Sequence, residues 1–130
     1  MAATPETVRK FAERGAEVVV EAGAGAGAAV SDAAFAEAGA RVVPRAEAWA
    51  ADVVLKVQPP APAEVAQLRA GATLVSFLYP SANAETVQAL AARGVAALAM
   101  EAVPRIARAQ KMDALSSMAN IAGYKAVLEA

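Results

Sequence analysis

Short β-branched runs alternate along this chain with stretches whose apolar residues recur at helical spacing, and glycine closes most of the helical stretches. Thr4-Pro5-Glu6 predicts a helix start, with Thr4 as N-cap and Pro5 at the first helical position; the helix runs to Arg14 and Gly15 stops it. Glu17–Glu21 (EVVVE) reads as a short buried strand. Ser31-Asp32 opens a second helix through Ala38, closed by Gly39, and Arg41–Val43 follows as a strand. Asp52–Val57 (DVVLKV) is a stronger strand, ended by Pro59-Pro60, with the Pro59–Pro62 stretch a stiff turn. Pro62–Arg69 is a helix closed by Gly71, and Thr73–Leu78 (TLVSFL) is the most apolar strand, broken by Tyr79-Pro80-Ser81. A helix over Ala84–Arg93, closed by Gly94, leads to a last strand, Val95–Met100.

Strands alternating with helices of about ten residues predict an α/β domain with a mainly parallel sheet. Such domains commonly open on a strand, whereas this chain opens on a helix, since Met1-Ala2-Ala3 is too short to pair. The expectation is therefore a sheet whose first strand is missing, in a chain trimmed at both ends. No internal repeat is visible.

Composition narrows the chemistry. The 130 residues suffice for one core. Alanine makes up about 30% of them, far above ordinary usage, so Val, Leu, Ile and Phe must carry the burial. A net charge of −1, from 12 basic and 13 acidic residues, offers no field for nucleic acid or anionic lipid. With neither cysteine nor histidine, thiolate catalysis, Ser-His-Asp chemistry and the usual zinc sites are excluded. No signal peptide or run of membrane-spanning length is present, which predicts a cytoplasmic domain.

Three features invite a functional reading and each has a plainer one. Gly23 to Ala28 follows a strand and precedes a helix, a loose G-x-G-x-x-A that could cradle a phosphate. The helix starts too late for the tight fingerprint turn, and no acidic residue ends the next strand, so a flexible Gly/Ala loop is favoured. Lys56 either points from a strand end toward a ligand crevice or snorkels from an edge strand; the pattern does not choose. Tyr79, at the equivalent end of TLVSFL, reads better as a turn residue than as a crevice wall.

The segment from Arg105 to Asn120 is different. Arg105, Arg108, Gln110, Asp113, Ser116, Ser117 and Asn120 gather where an ordinary core helix would carry long apolar side chains. A helix beginning near Ala107–Gln110 puts Asp113, Ser116 and Asn120 on one face with Gln110 a turn earlier. Arg105 is expected to reach back to Asp113, a buried pair that orients the guanidinium and leaves donors for a carbonyl. Such a face suits a planar amide like a nicotinamide carboxamide; a solvated helix with a surface ion pair is the alternative. Ala114, Ala119, Ala122 and Gly123 favour close packing against another domain.

ATPETV, VEAGAGAGAAVSDAAFAEAGA, ADVVLKVQPP, LVSFLYPSAN and above all VPRIARAQKMDALSSMANIAGYKAVLEA resemble the NAD(P) transhydrogenase α subunit, its NAD(H)-binding component within the alanine dehydrogenase/transhydrogenase group. The resemblance covers nearly the whole chain. It implies a Rossmann-like (flavodoxin-like) first domain over residues 1–104 and a nicotinamide-side loop with an inter-domain linking helix over 105–130. The chain then ends inside that helix, with the second domain and its dinucleotide glycines absent. In that family a hydride passes from NADH to NADP while a membrane partner moves protons.

The family's R-x-x-x-x-Q-x-x-D-x-x-S falls on Arg105, Gln110, Asp113 and Ser116. By resemblance Arg105, Ile106, Gln110, Asp113 and Ser116 bind NAD(H). Arg105 and Ser116 hold the amide, Asp113 orients Arg105, and Gln110 is the catalytic residue that aligns the ring, with no acid or base required. NADP(H) is implied to sit on a partner subunit. The implied assembly is peripheral to the inner membrane, with membrane and NADP(H)-binding components and a homodimer of the full-length α subunit. Alanine dehydrogenase is similar at Lys56, its pyruvate-binding lysine, but uses a histidine where this chain reads Tyr79-Pro80, and an arginine before the A-x-TP segment that is absent here. The resemblance therefore favours transhydrogenase, with the expectation that these 130 residues alone bind NADH very weakly or not at all. The alternative is a non-catalytic interaction module.

Overall fold

A computed structural model describes residues 1–130 and contains five short strands, all paired in parallel, and six helices. Helix α1 (Pro5–Glu13) begins at the expected cap, where the Thr4 hydroxyl accepts the Thr7 N–H at 3.2 Å. Strands β1 (Val19–Glu21) and β2 (Arg41–Val43) are joined by α2 (Asp32–Glu37), whose first turn is capped by Ser31. Strands β3 (Val53–Leu55), β4 (Thr73–Ser76) and β5 (Ala96–Ala99) are joined in turn by α4 (Pro62–Val65) and α5 (Ala84–Ala92). Between the two groups lies α3 (Arg45–Trp49), which the sequence pattern did not suggest. Pro44 supplies its extended N-cap, and Trp49 is its only buried residue.

The mainly parallel α/β reading holds, with one qualification. The strands form two separate sheets, β1-β2 and β3-β4-β5, rather than one. In the first, Val20 lies beside Val42; in the second, Leu74 lies beside both Val54 and Ala97. β1 and β3 each keep one unpaired edge. The core divides with the sheets. Val8, Phe35, Ala38 and Ala40 form one cluster, while Leu68, Leu74, Leu90, Trp49 and their neighbours form the other.

One face of the larger sheet is covered by this second cluster. The other carries Val53, Leu55 and Leu98, all exposed, with Val75 between them in register. Parallel strands are normally covered on both faces. No helix of the molecule is long and apolar enough to cross a membrane.

Candidate functional site

Beyond the carboxyl ends of the strands lie three constructions, and each uses backbone or carboxylate chemistry to fix a turn. The first is the glycine loop after β1. The Gly23 N–H, in a left-handed conformation, donates to both oxygens of Asp32 at 2.9 and 3.1 Å. Gly25 carries the close approach: a Cβ there would lie 2.4 Å from the Val30 carbonyl oxygen and 2.9 Å from the Phe35 ring. The chain's own carboxylate thus sits on the N–H a phosphate would need, and other loop amides bond to Glu21, Gly23 and Gly25 carbonyls. The phosphate-cradle reading gives way to a structural loop, held rather than flexible.

The second is a charged knot spanning β1, α3, β3 and α4. Glu64 reaches back to the Ala61 N–H at 2.7 Å, accepts from Lys56 at 3.2 Å and pairs with Arg45, which also lies 3.6 Å from Glu21. Burial disfavours the charged Glu64 carboxylate. The Ala61 N–H, Lys56 and Arg45 outweigh it and hold the group below its ordinary 4.5. Both cations also lie 5.8 Å from the centre of the Trp49 ring. Lys56 is therefore neither a free crevice lysine nor a snorkelling one: it is committed to the chain's own carboxylate. Glu64 is the residue the sequence did not disclose. Its signal was the spacing from Pro62, which places a glutamate at the third helical position, the reciprocal arm of a capping box.

The third construction is the turn after β4. Tyr79 takes φ 47°, unusual for a non-glycine residue, and stacks on Phe77 at 6.0 Å. The Glu101 carboxylate accepts the Leu78 N–H at 3.1 Å and also the Tyr79 N–H, while Asn83 donates to the Leu78 carbonyl at 2.8 Å. Tyr79 is a turn residue. Glu101, in a 3-10 turn (Met100–Ala102) directly after β5, ties this turn to the segment that carries Arg105.

That segment runs through a 3-10 helix (Ala107–Met112) and then breaks at Asp113 before α6 (Ala114–Glu129). The break corrects the expected continuous helix. Gln110 lies on the 3-10 element, Asp113 is the N-cap of α6, and only Ser116 and Asn120 share the helix proper. Asp113 causes it. Its carboxylate accepts the Ser116 N–H at 3.0 Å and the Ser116 hydroxyl at 2.6 Å, and its carbonyl accepts from Ser117 at 3.0 Å. The Ser116 bonds, with the positive charge of Arg105 as a lesser contribution, hold the Asp113 carboxyl below its ordinary 3.8.

The anticipated buried Arg105–Asp113 pair is not formed. Arg105 is exposed and makes no salt bridge, because Asp113 spends its oxygens on the cap. Arg105, Ile106, Gln110 and Ser116 are all exposed, and Asp113 is half-exposed. None of the sixteen residues of α6 is buried, although Met118, Ile121, Tyr124, Val127 and Leu128 are among them. A helix this apolar around its circumference belongs against another surface.

Parallel strands linked by single helices, with polar groups gathered beyond their carboxyl ends, define a Rossmann-like α/β domain. The comparisons with known proteins give that class a family. The chain belongs to the alanine dehydrogenase/PNT N-terminal domain family, which matches residues 1–122. It is 51% identical, over its whole length, to the NAD(P) transhydrogenase subunit alpha of Haemophilus influenzae. It superposes with a TM-score of 0.94 on a transhydrogenase from Sinorhizobium meliloti, at 47% identity over 99% of this chain and 39% of that one. An alanine dehydrogenase from Mycobacterium tuberculosis is 40% identical over 95% of the chain and 33% of its own length. The chain spans about a quarter of the Haemophilus relative.

Proposed function

We propose that this chain forms the first domain (residues 1–104) and the linking helix (105–130) of the NAD(H)-binding α subunit of a proton-translocating NAD(P) transhydrogenase. In that subunit the Arg105–Ser116 segment is one wall of the nicotinamide cleft. What supports this reading is that Arg105, Gln110 and Ser116 are all exposed next to the bare apolar helix α6, whose N-cap Asp113 holds Ser116. Identity favours transhydrogenase over alanine dehydrogenase, 51% against 40%. So does the lack of any histidine near Tyr79-Pro80.

The donor set fits a carboxamide. Arg105, free of any carboxylate, offers its guanidinium to the amide oxygen. Ser116 spends its hydroxyl proton on Asp113 and keeps lone pairs for the amide N–H. Asp113 fixes the Ser116 rotamer and attracts the guanidinium without neutralising it. Gln110, on the preceding 3-10 turn, sets the position of the ring. Bound there, NADH supplies the hydride; the residues of this chain supply proximity and orientation. The NADP(H) site, the membrane component and the homodimer contacts belong to the rest of the assembly, which this segment joins through α6.

NADH titration followed by nicotinamide fluorescence tests the reading. The 130 residues alone should show no micromolar affinity. The same residues joined to a dinucleotide-binding second domain should bind, and Arg105→Ala should weaken that binding at least about tenfold, the scale of a charge-assisted hydrogen bond. Micromolar binding by the isolated chain would contradict a cleft with only one wall here. Binding by the joined protein that is indifferent to Arg105→Ala would support a module that only docks.

A further inference from the structure

Glu101 is a half-buried carboxylate that makes no salt bridge. Its oxygens instead accept two successive backbone N–H groups, those of Leu78 at 3.1 Å and of Tyr79, just past the end of the central strand β4. Bonds to an ionised acceptor are about twice as strong as neutral ones, so the pair is a firm tether. The turn it grips is itself rigid. Tyr79 takes φ 47°, and the Asn83 amide donates to the Leu78 carbonyl at 2.8 Å and to the Tyr79 carbonyl at 3.3 Å. A non-glycine residue keeps such a conformation only where its surroundings over-determine it. Glu101 is therefore fastened to a fixed point of the sheet.

That anchorage reaches Arg105 over a short path. Glu101 lies in the 3-10 turn after β5, and only Ala102, Val103 and Pro104 separate it from Arg105. The Val103 N–H donates to the Met100 carbonyl at 3.4 Å and the Ile106 N–H to the Pro104 carbonyl at 2.9 Å, while the Pro104 ring fixes its own φ. Helix α6, which carries Ser116, packs back on the same Met100–Ala102 turn. The segment with Arg105 and Gln110 thus leaves from the Glu101 turn, and the helix that continues it returns there. Arg105 is exposed and makes no salt bridge, so its placement depends on its backbone.

We propose that Glu101 is a positioning residue for the nicotinamide wall, an inference that rests on the reading of Arg105 as a contact of the carboxamide. Its carboxylate pins the Arg105 segment to the end of β4 and so sets where the guanidinium stands toward the amide oxygen. Glu101 acts through Arg105 and not on the cofactor, because its own oxygens are taken by the Leu78 and Tyr79 N–H groups. Glu101→Gln keeps the shape but puts an NH₂ donor where one oxygen accepted, which sets donor against donor. The tether then loosens, and the guanidinium loses its fixed position while the rest of the dinucleotide site is untouched.

The test is a calorimetric titration of the joined two-domain protein with NADH and with ADP-ribose, which lacks the nicotinamide. Glu101→Gln should weaken NADH about tenfold, the scale of a lost charge-assisted bond, and leave ADP-ribose unchanged. Added to Arg105→Ala it should weaken NADH no further, since residues that act through one another are not additive. Glu101→Asp, one methylene shorter, carries the same comparison if the glutamine variant does not fold, with a smaller loss of the same NADH-only kind. Selective loss of NADH with a non-additive double variant supports the proposal. Equal loss of both ligands, no loss of either, or additivity with an effective Arg105→Ala would overturn the positioning role and leave the nicotinamide wall standing. An Arg105→Ala variant that binds NADH normally would remove the wall, and the role of Glu101 with it.

Discussion

In the loop after β1 a Cβ at Gly23 or Gly27 would meet no atom within 4 Å, whereas one at Gly25 would press on its neighbours, which makes the loop a test at single residues. Gly27→Ala meets no atom within 4 Å and should change stability by no more than about 0.5 kcal/mol. Gly25→Ala must displace the Val30 carbonyl or the Phe35 ring and should cost about 1–3 kcal/mol. Chemical denaturation of the two variants compares them directly. Glu64 makes a second prediction. Its folded carboxyl titrates below 4.5, so its stabilisation is complete above about pH 4.5 and is lost as pH falls through the folded value. Glu64→Gln, which removes the charge but keeps the shape, should cost about 1–3 kcal/mol at neutral pH. It should also flatten the acid limb of a stability profile below pH 4.5. An unchanged acid limb would mean that Lys56 and Arg45 do not hold the ionised form.

The elements show where sequence reasoning reached and where it stopped. Thr4, Ser31, the β-branched cores of β1 to β4 and the apolar run of β5 were legible, because caps and apolar runs are local signals. Strand ends were not: of DVVLKV only Val53–Leu55 is strand, although the Lys56 N–H still bonds the Val75 carbonyl and the Val57 carbonyl accepts the Phe77 N–H. The α3 helix escaped because its alanines give no periodic stripe; only Trp49 anchors it. At the candidate site the residue types were readable, but their arrangement was not. Asp113 looked like a helix-face partner for Arg105, yet it has a nearer use as the cap of α6, which splits Gln110 from Ser116. The exposed α6 supports a further prediction. Ile121→Asp should leave the melting temperature of this chain within about 2 °C, because Ile121 is 68% exposed. In the joined two-domain protein the same change should lower it by several degrees. Equal insensitivity in both would remove α6 from any inter-domain contact.

At the scale of the whole molecule, the unfinished surfaces form one pattern. The bare face carrying Val53, Leu55 and Leu98 and the uncovered α6 both lie where a parallel α/β domain is normally covered. Beside the α6 cap, whose own donors are received by Asp113, the Arg105 guanidinium is exposed without a carboxylate partner. On the proposed reading, a domain without histidine or cysteine serves an oxidoreductase by orienting one end of a dinucleotide whose other end lies on a different body. The central claim is that Arg105 and Gln110 act on that nicotinamide, and the most direct measurement is hydride transfer. In an α subunit containing this chain, assembled with its NADP(H)-binding partner, transfer from NADH to an NADP analogue should be timed in single turnovers. Arg105→Ala and Gln110→Asn should each slow it by about 10²-fold, the scale of a small misplacement of reacting atoms, with folding unchanged. Unchanged rates in both variants would contradict the account.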